Sequence, residues 1–204
     1  MSNSEIETSA KISWFGRFVR RPESISPNNA LLWGVAGLIV ASMAGWYFRV
    51  LPTSAFGLQL SDYIPLVWHV VLNATMWITF TLPMYILLVL TFGRVNIVEV
   101  FGRVLFAHWP VTLLFLLPIF GDRVAFATFS EDMMLGFKLY TSESVIYFVV
   151  MVIVAVWWIV WSYRAMREAS RSVTDHVGWI FTTGMILGLV LCRTTMSYMI
   201  DAIC

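Results

Sequence analysis

Charge is what this sequence has least of. Of 204 residues, 12% are charged and 59% are hydrophobic, and the mean hydropathy is +0.80. A soluble domain carries about 25% charge and about 45–50% apolar residues. A single water-soluble core is therefore excluded, and the chain belongs in a bilayer. Cysteine is scarce as well. Cys192 and Cys204 stand at no spacing that suggests a metal site or a disulfide framework. No cofactor and no metal are expected. The apolar segments carry no acidic residue, which weighs against a carboxylate-driven pump and against a paired-aspartate intramembrane protease. HExxH, GxSxG and Walker patterns are missing. His69, His108 and His176 share no ligand spacing on one helix. The chain reads as a non-enzyme. The net charge of +1 points to no partner, and nucleic acid is not expected among them. The first 29 residues lack an apolar core with a cleavage site, so the first span is expected to serve as the insertion signal. The sequon Asn73-Ala74-Thr75 lies within an apolar run and is discounted as a glycosylation site.

Long apolar runs are abundant. A spanning helix needs about 20 mostly apolar residues, and five segments qualify: Ala30–Leu51, Ile64–Thr91, Val104–Gly121, Ser144–Tyr163 and Val177–Ile200. The expected fold is all-α: a five-helix transmembrane bundle over residues 30–200, preceded by a cytoplasmic tail, residues 1–29, with a short interfacial amphipathic helix. Pro83 is expected to tilt or kink the second span. Pro110 and Pro118 fall in the third, which is short.

Basic residues suggest the orientation. Lys11, Arg17, Arg20, Arg21, Arg94, Arg103, Arg164, Arg167 and Arg171 fall on one side, and Arg49, Arg123 and Lys138 on the other. That split predicts an N-terminus on the cytoplasmic side and a C-terminus outside. Trp46, Tyr47, Tyr63 and Trp68 gather at the predicted outer ends, and Trp157, Trp158, Trp161, Tyr163 and Trp179 at the inner ends, where amphipathic rings favour the headgroup level. In "KISWFGRFVRRPES", Ile12, Trp14, Phe15, Phe18 and Val19 share one helical face and Arg17, Arg20 and Arg21 the other. This is the pattern of a helix lying on an anionic leaflet; a docking helix for a protein is the alternative. The loop "YRAMREASRSVTDH" reads as a solvated anchor that extends the fourth span, or as a docking surface. The loop Asp122–Glu143 carries no binding signature.

Small residues form two stripes: Gly34, Gly37, Ala41 and Ala44 in the first span, and Gly184 and Gly188 in the last. Such stripes let helix backbones approach. Packing within the chain and contact with a partner or a second copy both fit them.

The layout resembles a known family. A basic lead-in ending in "RRPESI" precedes the first span, and "LTFGRVNIVEVFGRVLFAHWPVTLL" joins the second and third through a glycine-bearing turn. This is similar to the Yip family, five-span membrane proteins named for interaction with Ypt/Rab GTPases, and to its small bacterial members. Pro22–Glu23 resembles the family's lead-in, Gly93 its turn glycine and Pro110 its span-three proline. The resemblance implies a membrane helper without enzymatic chemistry, found in bacteria beside export systems such as ABC-type exporters. Rab binding does not carry across, because only 29 residues precede the first span.

Two functions remain in play. The first is an accessory protein that contacts the lipid bilayer and another membrane protein, with a homo-oligomer left open. The second is a small transporter or channel subunit with a polar path near span two. His69 and Asn73 share one face of that span, and Thr75 and Thr79 another, with Thr81 also polar; no continuous stripe is expected from them. One cation stands apart from the charge pattern. Arg193 lies in the last span, and a mid-span arginine costs about 2.5–3.5 kcal/mol. The expectation is that Arg193 faces the bundle and meets His69 and Asn73, helped by Thr194 or Thr195. A snorkelling anchor that reaches Asp62 or lipid phosphate is the alternative.

Overall fold

The structure is a computed structural model that describes residues 25–55, 57–93, 95–116, 118, 142–170 and 176–203. Its elements are α1 (Pro27–Phe48), β1 (Val50–Pro52), β2 (Leu58–Leu60), α2 (Leu66–Phe92), α3 (Ile97–Ala107), α4 (Trp109–Leu114), α5 (Ser142–Ser170) and α6 (His176–Ile203). With α3 and α4 taken together as Ile97–Leu114, five helices are long and apolar enough to cross a membrane. The chain is an all-α membrane bundle. Arg17, Arg20 and Arg21, the proposed interfacial helix and most of the loop Asp122–Glu143 lie outside the described residues.

Each boundary has a local cause. Pro27 occupies the first turn of α1, where a missing N–H costs nothing, and the Ser26 hydroxyl accepts from Asn29 N. Arg49 closes α1 in the left-handed region at φ 55°, which turns the chain back on itself. Gly93 ends α2 at φ 80°, a conformation glycine adopts without steric cost. Asn96 caps α3 by accepting from Val98 N at 2.9 Å.

The third span departs from expectation. It begins at Ile97 rather than Val104, so Arg103 is a helical residue and not part of a loop, and Glu99 puts a carboxylate inside a span. The two stand one turn apart and form an ion pair at 3.7 Å, both largely buried. Local neutralisation is what lets the helix start early. The span then breaks at His108, because Pro110 has no N–H to continue the ladder. His108 therefore sits in mid-span, not near an end. Pro83, by contrast, leaves α2 one continuous helix.

The small-residue stripes pack within the chain. A Cβ on Gly34 would lie 2.8 Å from Leu105 Cβ, and one on Gly37 3.3 Å from the Trp109 ring. Ala41 and Ala44 are buried on the same side of α1. On α6, a Cβ on Gly184 would lie 3.0 Å from Met84, and one on Gly188 2.6 Å from the Phe80 carbonyl oxygen. These approaches fix the neighbours: α1 runs parallel to α3–α4, and α6 runs antiparallel to α2.

Trp158 and Trp161 are not headgroup anchors. Both are fully buried; Trp161 stacks on Phe106 and Trp158 packs against Phe80. Burial of rings this large dominates core energetics. Tyr47, Tyr63, Trp68 and Trp179 are exposed near helix ends. α5 continues to Ser170, past the expected end of its span, and carries Arg164, Arg167 and Glu168 exposed.

Candidate functional site

The segment between α1 and α2 reads as a loop in sequence, yet it folds into the bundle. β1 and β2 pair antiparallel, Val50 with Leu60, Leu51 with Gln59 and Pro52 with Leu58. Thr53 N donates to Gly57 O at 2.8 Å to close the tip. Val50, Leu51, Ala55 and Leu58 are buried. Leu51 joins Leu72, Met76, Trp77, Cys192 and Met196 in one apolar cluster, and the Cys192 thiol sits against the Thr79 hydroxyl and the Ala55 backbone. The hairpin thus re-enters the bundle from the end where α1 finishes and α2 begins. Backbone that is not helical survives at membrane depth only where protein covers it, and here the flanking helices do so. This end is called the hairpin end below.

Beside the hairpin, α2 presents polar groups to the interior. His69, Asn73, Trp77 and Thr81 stand on successive turns, each at most 1% exposed. Asn73 Nδ2 donates to the His69 carbonyl at 2.9 Å. That carbonyl can only accept, so the amide orientation is determined and Oδ1 is left as an acceptor. The Ser42 hydroxyl bonds to Leu38 O at 2.8 Å and reaches His69 O at 3.4 Å, which ties α1 to α2 at this level. His69 Nδ1, Asn73 Oδ1, Trp77 Nε1 and Thr81 Oγ1 have no hydrogen-bond partner.

His108 occupies the break between α3 and α4 in the same interior. Its Nδ1 donates to Val104 O at 2.8 Å, which leaves Nε2 as a lone-pair acceptor with no partner. Its ring lies 5.1 Å from Trp77, 5.4 Å from Phe80 and 5.5 Å from Trp158.

The expected polar cluster does not assemble. His69 and Asn73 are buried, but Arg193 and Thr194 are exposed and Thr195 is half-buried. The glycines explain the difference. Gly184, Gly188, Cys192 and Met196 recur every four residues on the buried face of α6, and residue 193 lies 100° round the helix from residue 192. Depth differs as well. Gly184 beside Met84 and Gly188 beside Phe80 set a register that brings Arg193 level with about residue 75 of α2, deeper than His69. α6 runs to Ile203, so Arg193 lies only ~5 Å past the midpoint of its helix. Thr183, Ile186, Leu187, Val190, Arg193, Thr194 and Ser197 share that uncovered face.

The interior row of α2 passes through Trp77, a residue absent from the polar set read from the sequence; it stands one turn from Asn73 and one turn from Thr81, with its indole nitrogen buried. Among the described residues, no three His, Cys, Asp or Glu side chains come together as a metal site. Compared with protein-family models, with curated proteins and with solved structures, the chain has no match.

Proposed function

We propose that this chain is an accessory protein of the inner membrane that docks against a larger membrane protein through the uncovered face of α6. Arg193 carries the reading. A permanent cation near the middle of a spanning helix costs about 2.5–3.5 kcal/mol, and such groups ordinarily pair or line a polar path. Here it stands on the outside of its own bundle. Side chains lean toward a helix's N-terminus, which directs Arg193 toward mid-membrane rather than toward the nearer end.

The partner's chemistry follows. In a dimer of parallel copies the α6 helices stand at equal depth, so Arg193 meets Arg193. The nearest acid on that helix, Asp201, is eight residues away, or ~12 Å. A second copy therefore leaves the charge uncompensated. A different membrane helix with a carboxylate at matching depth neutralises it in a water-poor setting, where paired charges attract strongly. The five-span layout, similar to that of small bacterial Yip proteins, supports a helper role, and an ABC-type exporter is the partner class this resemblance suggests. The excess of Lys and Arg at the end opposite the hairpin supports a cytoplasmic N-terminus.

The test is lipid-preserving extraction of a tagged copy, followed by identification of co-purifying proteins. A stoichiometric membrane partner that is retained by the wild type and lost from Arg193→Leu is expected. An identical, partner-free monomer from both overturns the docking role. The unpartnered interior row favours a second reading, a polar path for a small solute. A purified monomer that conducts or transports in liposomes puts that reading first.

A further inference from the structure

The interior of the bundle presents a puzzle that is separate from the Arg193 face. Five buried polar atoms, His69 Nδ1, Asn73 Oδ1, Trp77 Nε1, Thr81 Oγ1 and His108 Nε2, have no hydrogen-bond partner. A buried polar group without a partner is costly, and folded proteins leave few such groups unsatisfied. These five are not scattered. Four stand on successive turns of α2, and the fifth belongs to a ring 5.1 Å from the third. Ser61 Oγ, at the base of β2, is a sixth unpartnered buried atom and lies at the hairpin end.

Their chemistry is ordered. Asn73 Oδ1 accepts, Trp77 Nε1 donates and His108 Nε2 accepts, so the single indole donor lies between two acceptors. It bonds neither. Asn73 and Trp77 stand one helical turn apart, and one water with two hydrogen bonds of ~2.8 Å bridges polar atoms that do not reach each other directly. Water can donate two bonds and accept two, so it joins an acceptor to an acceptor as readily as an acceptor to a donor. A metal cation fits poorly, because the indole N–H faces it with a proton. Past His108, the rings of Phe80 and Trp158 pack 4.7 Å apart and stand between it and Ser162 Oγ, a further buried, unpartnered atom one turn beyond Trp158 on α5.

We propose that the inner face of α2 binds a single file of water molecules that enters at the hairpin end, passes His69, Asn73 and Trp77, and ends at His108. The row makes His108, which no bulk solvent touches, able to exchange protons with one side of the membrane only. Trp77 keeps its proton, so water carries the exchange past it. The hairpin shapes the mouth. Val50 and Leu60 form a pair whose neighbours at 49/61 and 51/59 hold the ladder bonds. Val50 O therefore turns outward, and both it and His69 Nδ1 lie about a Cβ contact from Gly45, at 2.8 and 3.1 Å from where its Cβ would be.

Water-edited solid-state NMR of nitrogen-labelled protein in liposomes tests this. Magnetisation should pass from water to the side-chain nitrogens of His69, Trp77 and His108 several-fold faster than to the backbone amide of Leu88, which is fully buried on the same helix. Transfer to His108 and Trp77 as slow as to Leu88 overturns the proposal. Asn73→Leu should slow transfer at His108 and leave His69 fast. An unchanged His108 overturns entry from the hairpin end. If Asn73→Leu does not fold, His69→Leu should slow both Trp77 and His108, with the same two outcomes.

Discussion

Gly188 stands so close to Phe80 that a Cβ on it would lie 2.6 Å from the Phe80 carbonyl oxygen. The obstacle is backbone, which cannot rotate away as a side chain can. Gly188→Ala should push α6 off α2 and destabilise the bundle by about 1–3 kcal/mol, the usual range for overpacking. Gly184→Ala should cost less, because a Cβ there would approach the Met84 side chain only to 3.0 Å and its Cα to 3.1 Å. Unfolding of the two purified variants in detergent ranks them; equal stability would contradict this account of the α2–α6 contact.

Arg193 gives the opposite sign. Because it is exposed on its own bundle, Arg193→Leu removes an unfavourable charge from the membrane-facing surface without breaking an internal bond. The purified monomer should be at least as stable as wild type, and Arg193→Leu should show no coupling to Asn73→Ala in a double-mutant cycle. A loss of more than about 1 kcal/mol, or coupling between the two sites, places Arg193 in an internal network instead.

Much of this fold was legible in the sequence, and the failures have specific causes. Five apolar runs gave five helices, because a spanning segment announces itself by length and hydropathy. Arg103 was expected in a loop on its charge alone; with Glu99 one turn away to pair with it, it stands in a buried helix instead. Arg193 stands on a different face from the one expected, since an apolar run does not by itself say which side of its helix meets the bundle. The true register is set by Gly184 and Gly188, residues that do appear in the sequence as a stripe. Had that stripe been taken as the buried face, Arg193 would have been placed outside by helical geometry alone. The hairpin was not legible, since nothing in "VLPTSAFGLQLSD" says that it turns inward.

The Glu99–Arg103 pair should be worth more broken than absent. Both residues are under 10% exposed, so removal of one takes an opposite charge from the other where water does not reach. Arg103→Met should cost about 3–5 kcal/mol, whereas Glu99→Leu with Arg103→Met should recover most of it. Thermal unfolding of the single and double variants decides this. A double variant as unstable as the single one would assign the cost to lost packing of the arginine stem.

Topology has a direct chemical test. Cys204 should react with a membrane-impermeant maleimide from outside the cell once any outer membrane is permeabilised. Labelling only from the cytoplasmic side reverses the N-inside orientation that the distribution of Lys and Arg favours.

The last prediction joins the hairpin to the second cysteine. Cys192 is fully buried among Leu51, Leu72, Met76 and Trp77, with the Ala55 backbone at the hairpin tip against its sulfur. The hairpin thus supplies part of the cover over that thiol. Leu51 has the largest of the hairpin's fully buried side chains, and loss of a buried leucine side chain costs about 2–5 kcal/mol. Leu51→Ala should therefore free the hairpin before it unfolds the five helices, whose contacts with one another do not pass through residue 51. With Cys204 replaced by serine, Cys192 should be inert to maleimide in the wild-type background. It should become reactive in Leu51→Ala, and from the hairpin end alone. Reaction of Cys192 in the wild-type background would mean that the hairpin does not cover it. An inert thiol in Leu51→Ala with the hairpin made protease-sensitive would mean that α2 and α6 close over Cys192 by themselves, and that the re-entrant strands shape only the mouth beside His69.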